Sequence, residues 1–161
     1  GSVKASEFEF LSKSLPSRRV ICGLPGVEWE EQQVFQDHAI FHFFNSDELI
    51  KKICSITGLP ERSSPQSILA WIARYKTGEY INPHMDGAGT VQLIICLKSV
   101  SQEHGGTLYL RTMEKEVGIH LELGDALLFD ATSIEHFTTP LMPSSMCPEP
   151  SRVVAVGRYY F

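Results

Sequence analysis

The stretch RYKTGEYINPHMDGAGTVQLIICL, residues 74–97, decides how the rest of the chain reads. It holds a turn signal at Thr77-Gly78, then His84 and Asp86 two residues apart, then an apolar run after Gly87 and Gly89. In extended backbone, residues i and i+2 point to the same face. An imidazole nitrogen and a carboxylate oxygen can therefore converge on one ion. Such pairs are common by chance, and the plain alternative is a solvated histidine beside an aspartate that closes a turn. The surroundings of the pair separate the two readings.

Those surroundings are strand-rich. Residues 68–73, 90–97, 107–111, 117–123, 126–129 and 152–161 are short β-prone runs, with Gly105-Gly106, Gly118 and Gly124-Asp125 beside or between them as turns. The segment 140–150 carries Pro140, Pro143, Pro148 and Pro150 and reads as a loop. Towards the N-terminus, residues 39–44 (Ala-Ile-Phe-His-Phe-Phe) read as one more strand. Asn45-Ser46-Asp47-Glu48 then supplies cap residues and first-turn acids. Leu49, Ile50, Ile53, Cys54 and Ile56 follow at helical spacing, and Gly58 and Pro60 stop the helix. Close-spaced short strands with an early helix predict an all-β sandwich or barrel with the helix packed outside.

Of 161 residues, 14 are basic and 19 acidic, a formal charge of −5, which argues against a protein held to nucleic acid by bulk charge. Hydrophobic residues make up 43%, enough for a packed core. No apolar run reaches the roughly 20 residues that span a bilayer, so no membrane partner is expected. Cys22, Cys54, Cys96 and Cys147 form neither a CxxC pair nor a zinc-finger spacing, and no signal peptide precedes them. They read as reduced thiols of a cytoplasmic protein. Gly1-Ser2 reads as the remnant of an expression tag.

A metal at His84 and Asp86 needs a third ligand. His136 is the best candidate, because it follows the strand-like run 124–130, which a barrel can return beside His84. Two histidines and one carboxylate make the facial triad of non-haem Fe(II) oxygenases, which leaves positions open for substrate and oxygen. The last strand gives a second clue. With period 2, Arg152, Val154, Val156, Arg158 and Tyr160 share a face. Two arginines on an apolar strand are costly to bury unless they meet anions. A dicarboxylate is such an anion, and a guanidinium grips it in bidentate fashion. The competing reading is a solvated face. Tyr75, nine residues before His84, can donate to the same carboxylate or merely pack. His38, His42, His104 and His120 read as surface or packing residues. Trp71, Tyr109, Phe137 and Met142 can line a pocket, with packing the simpler role.

Together these pieces resemble the Fe(II)/2-oxoglutarate-dependent dioxygenases, of the prolyl-hydroxylase-like and AlkB-like superfamily. Residues 74–86 look like the segment leading into that family's HxD motif, and 91–97 like the strand after it. Gly105-Gly106-Thr107-Leu108 is similar to the GG-x-L hairpin of the prolyl-hydroxylase-like branch. Residues 124–129 look like the strand before the distal histidine, and Arg152 sits 16 residues after His136, where the family places its 2-oxoglutarate arginine. The resemblance implies a mainly β fold, a double-stranded β-helix (jelly-roll) barrel with flanking N-terminal helices. It implies a single domain over 3–161, with a support region 3–66 and a catalytic core 67–161. It further implies Fe(II) held by His84, Asp86 and His136, and 2-oxoglutarate held by Arg152, helped by Tyr75 and Arg158. With O2, such a site oxidises a C–H bond and releases succinate and CO2.

The substrate class follows less directly. A hydroxylase of a small molecule or amino acid is favoured, since no extended peptide groove can be read. A prolyl-hydroxylase-like enzyme acting on a peptide or protein is the nearest alternative. An AlkB-type nucleic-acid demethylase is disfavoured: Arg152 and Arg158 reproduce R-x5-R, but the asparagine of N-x-Y is Ala73 here, and no basic lid for a flipped base is visible. A non-catalytic 2-oxoglutarate-binding barrel, or a cupin-like module, is disfavoured by the intact triad and its arginine. If Arg152 holds the distal carboxylate, Arg152→Ala raises the 2-oxoglutarate requirement in a turnover titration. An unchanged requirement moves that role to Arg158.

Overall fold

The computed structural model describes residues 17–21, 28–60 and 64–161. Its strands are β1 (Ser17–Ile21), β2 (Glu28–Val34), β3 (Ser67–Tyr75), β4 (Val91–Lys98), β5 (Leu108–Arg111), β6 (Glu116–Ile119), β7 (Ala126–Phe129), β8 (Glu135–Thr138) and β9 (Arg152–Tyr160). Two helices, α1 (Ala39–Phe44) and α2 (Asp47–Thr57), lie between β2 and β3 in the chain. The strands form a large sheet, β1-β2-β3-β9-β4-β7, and a small one, β6-β5-β8. Every pairing within them is antiparallel.

Strand alternation sorts the core into two layers. Ala70, Ile72, Val91, Leu93, Val153, Ala155 and Tyr159 pack with Ile40, Phe44 and Ile53 of the helices. The opposite parity, Ala73, Tyr75, Ile94, Cys96, Val154 and Val156, packs with Leu108 of the small sheet and with Phe129. The large sheet is therefore covered by helices on one face and by the small sheet on the other. β9 lies at its centre, and its first six residues are all buried. Strands buried on both faces read as continuous apolar runs, as Val153-Val154-Ala155-Val156 does.

Several expectations need correction. Residues 39–44 form α1, not a strand. A six-residue apolar run does not distinguish the two by pattern alone. The buried pair Ile40 and Phe44 is spaced i,i+4, and His38 caps the helix by accepting the Ile40 N–H at its Nδ1, 3.2 Å away. Burial lowers the His38 pKa, in keeping with a neutral, accepting ring. Docking then fixes the helix: Phe44 is fully buried, and the Tyr159 hydroxyl donates to its carbonyl at 2.8 Å. Helix α2 runs as expected to Gly58, but Ile56 is exposed, and the Ser46 hydroxyl donates back to the Phe43 carbonyl rather than capping α2. β8 was not foreseen as a strand, so His136 lies on one rather than after one. β1 and β2, from the region before residue 67, pair onto the main sheet beside β3. Cys54, Cys96 and Cys147 are free thiols, whereas Cys22 lies outside the described residues. Among the described residues, no helix is long and apolar enough to cross a membrane.

The α1–β9 contact depends on one glycine. A Cβ on Gly157 would lie 2.5 Å from Phe44 Cδ1. Gly157→Ala must displace a fully buried ring, so it is expected to cost about 1–3 kcal/mol. A lower urea midpoint at unchanged m-value would show it; an unchanged midpoint would mean that the Phe44 notch yields freely.

Candidate metal centre

His84 and His136 meet through the backbone. The His84 N–H donates to the His136 carbonyl at 3.1 Å, and the His136 N–H donates back to His84 at 2.9 Å. This isolated antiparallel bridge sets their rings 4.2 Å apart, centroid to centroid. Each ring is then oriented by its own local carbonyl. His84 Nδ1 lies 2.7 Å from the Asn82 carbonyl oxygen, and His136 Nδ1 lies 3.0 Å from that of Ile134. A carbonyl only accepts, so each Nδ1 carries a proton, and in the neutral ring it is Nε2 that keeps the lone pair. Ring orientation by a backbone carbonyl is the usual support of a metal-binding histidine. Burial lowers the His136 pKa, with the neighbouring His84 acting in the same direction, and so keeps the ring neutral.

Asp86 completes the group. Its N–H donates to the Ala131 carbonyl at 2.8 Å, and its Oδ1 lies 3.7 Å from His84 Nε2. One ligand atom each from His84, Asp86 and His136 lie within 4.8 Å of one another, and no other such cluster of three occurs among the described residues. Two neutral imidazole nitrogens and one carboxylate suit a divalent transition metal such as Fe(II). The donor set fits the metal that the sequence implies.

Asp86 Oδ2 is hydrogen-bonded to the Arg158 guanidinium. Arg158 also donates to Gln92 Oε1, from Nε at 3.2 Å and from Nη2 at 3.1 Å, and lies over the Trp71 ring at 5.1 Å. Register explains the arrangement, since Gln92 on β4 stands opposite Arg158 on β9. Arg158, expected to help hold a cosubstrate, is thus engaged with Asp86 and Gln92. With Oδ2 held by Arg158, Oδ1 is the Asp86 oxygen on the His84 side.

A cavity of about 220 Å³ adjoins the three side chains. Arg152 lines it and is only 6% exposed. Tyr75 stands opposite Arg152 across the β3–β9 pair, with the guanidinium 5.5 Å from its ring centroid, and Trp29 stacks on that ring at 6.1 Å. No carboxylate pairs with Arg152 among the described residues. Burial accordingly lowers the pKa of its guanidinium. A desolvated, charged fork is costly unless an anion meets it, and its planar donors suit a carboxylate. Of the expected face, Arg152, Val154, Val156 and Arg158 line this cavity, and Tyr160 does not. The twin glycines also contribute: a Cβ on Gly106 would lie 2.7 Å from Leu141 Cδ2 and 3.5 Å from Arg152 Cδ.

Other expectations resolve simply. His104 is a packing residue, its Nδ1 3.0 Å from the Met142 carbonyl oxygen. His120 Nε2 lies 2.8 Å from the Val100 carbonyl oxygen. Tyr109 and Phe137 stack on each other at 5.1 Å, whereas Trp71 lines the cavity. Sequence reasoning missed Gln92 and Trp29. A lone glutamine inside the run 91–97 was a usable signal, because a buried amide needs a partner.

No protein-family model matches the sequence, and no curated protein matches it significantly. The fold is that of the 2OG-Fe(II) oxygenases, the double-stranded β-helix or jelly roll. An oxidoreductase of the 2OG-Fe(II) oxygenase family from Burkholderia pseudomallei aligns with a TM-score of 0.75 at 13% identity, over 96% of this chain and 78% of that one. A prolyl-4-hydroxylase from Pseudomonas putida aligns with a TM-score of 0.69 at 14% identity, over 97% and 82%. HygX from Streptomyces hygroscopicus, crystallised with nickel, 2-oxoglutarate and hygromycin B, aligns with a TM-score of 0.68 at 13% identity, over 97% and 77%.

If Arg158 holds Asp86 in place for an ion, Arg158→Leu should weaken Ni(II) binding about 10- to 100-fold, measured by calorimetric titration. Wild-type affinity in that variant would leave Arg158 with no part in the centre.

Proposed function

We propose that the protein is a non-haem Fe(II), 2-oxoglutarate-dependent dioxygenase that hydroxylates a C–H bond of a small molecule or amino acid. One observation carries this reading. Arg152, buried and with no carboxylate partner among the described residues, lines the same cavity as the three converging ligand atoms of His84, Asp86 and His136. A metal triad alone serves many chemistries, but a triad sharing its cavity with a desolvated guanidinium suits a chelating dicarboxylate.

Fe(II) with 2-oxoglutarate and O2 supplies the oxidising power; R–H, O2 and 2-oxoglutarate give R–OH, succinate and CO2. The protein supplies geometry. His84 and His136 offer Nε2, and Asp86 offers Oδ1. Arg152 would bind the distal carboxylate of 2-oxoglutarate, with Tyr75 beside it. Ile94, Leu108, Val154 and Val156 form apolar walls that exclude water from the reacting atoms. Arg158 holds Asp86 Oδ2, which would leave Oδ1 to the metal. A second reading, hydroxylation of a peptide, is favoured by the likeness to the Pseudomonas putida prolyl-4-hydroxylase.

The test is an anaerobic titration of metal-free protein with Fe(II) and then 2-oxoglutarate. A visible metal-to-ligand charge-transfer band is expected, absent in His136→Ala. Folded protein that shows no band would sink the dioxygenase reading and favour a binding barrel.

A further inference from the structure

A second cavity, of about 290 Å³, borders the first; Glu31, Trp71 and Arg158 line both. Its floor is a two-strand shelf. Glu31 and Gln33 project at i and i+2 from β2, and Leu69 and Trp71 do so from β3, with Gln33 opposite Trp71. Leu69 is 44% exposed, an apolar surface left open beside an indole. We infer that this shelf holds the substrate, and that the substrate is a ring-sized polyol or amino-polyol without negative charge. The inference rests on the dioxygenase reading and extends it to the substrate class.

The chemistry of the lining supports that choice. Trp71 and Leu69 suit a carbon face whose slightly positive C–H groups meet the negative face of an aromatic ring. Glu31 and Gln33 offer acceptors at the edge of that surface. A carboxylate has about four lone-pair sites, so Glu31 can accept from a ligand while keeping contacts within the protein. Hydroxyl and ammonium groups are the matching donors. The volume, near the lower end of small-molecule sites at roughly 300–1,000 Å³, suits one ring.

Other classes fit less well. Arg158 is the only cation lining the shelf among the described residues, and its guanidinium is engaged by Asp86 and Gln92. A phosphate or a free amino-acid carboxylate would therefore face Glu31 without a counter-charge. A purely apolar substrate would desolvate the Glu31 carboxylate and leave the Gln33 amide without a partner. A peptide strand binds along a groove or sheet edge by backbone hydrogen bonds, which a compact shelf of side chains does not supply.

The test uses the full chain loaded with Ni(II) and 2-oxoglutarate, which cannot turn over. Ligand-observed NMR compares D-glucosamine, D-glucose and D-glucuronate. Glucosamine and glucose are expected to bind, with glucuronate about tenfold weaker than glucosamine or worse. Glu31→Gln should erase the advantage of glucosamine over glucuronate, and Trp71→Leu should weaken all binding. Gln33 is exposed, so Gln33→Leu tests the same acceptor edge without threatening the fold; it should weaken glucose. Equal binding of glucuronate and glucosamine, or no binding of any sugar, overturns the inference even where the iron and 2-oxoglutarate band appears. If the sugar order holds while that band fails, the shelf stands and the dioxygenase reading falls.

Discussion

Two backbone hydrogen bonds between His84 and His136 organise the centre of this molecule. They join a loop residue that follows β3 to a strand residue of the small sheet, so they tie both sheets at one point. The rings have little choice once the bridge forms, because each Nδ1 meets a carbonyl two residues earlier. Both Nε2 atoms are thereby free for one shared partner. Asp86 joins them through its own backbone bond to Ala131. The centre is built by main-chain geometry first and by side chains second.

β9 performs the second task, because it is covered on both faces. One face, Val153, Ala155 and Tyr159, anchors the helices; the other, Arg152, Val154, Val156 and Arg158, lines the cavity. Burying each valine contributes about 1.5–3 kcal/mol. That apolar packing must offset the desolvation of Arg152, which no carboxylate of the described chain relieves. Arg158 on the same face has its charge met by Asp86, so two like residues six apart take different roles. Register decides which: Arg152 stands opposite Tyr75, whereas Arg158 stands opposite Gln92 and reaches Asp86.

Glycine makes the close approaches possible. Gly157 admits Phe44 against β9, and Gly106 admits Leu141 beside Arg152. The first seats the outer helical layer, and the second lets Leu141 pack close to the Arg152 stem. Shelf and cavity share Trp71 and Arg158, so whatever occupies the shelf lies against the group that holds Asp86.

The sequence alone determined the features that depend on period and charge. Alternation over 152–158 put two arginines and two valines on one face, and the spacing of His84 and Asp86 put both on one side of an extended segment. Those statements need only local backbone geometry. Tertiary structure decided the rest. Residues 39–44 became a helix because Phe44 found a notch at Gly157, which no local pattern encodes. β8 is four residues long, and its strand character comes from pairing with β5. β2 is polar in sequence, with Trp29 and Val34 its only strongly apolar residues, and becomes a strand by extending the sheet beside β3. The roles of Tyr75, Gln92 and Trp71 arise across strands distant in the chain, and register between such strands is set by the whole packed core.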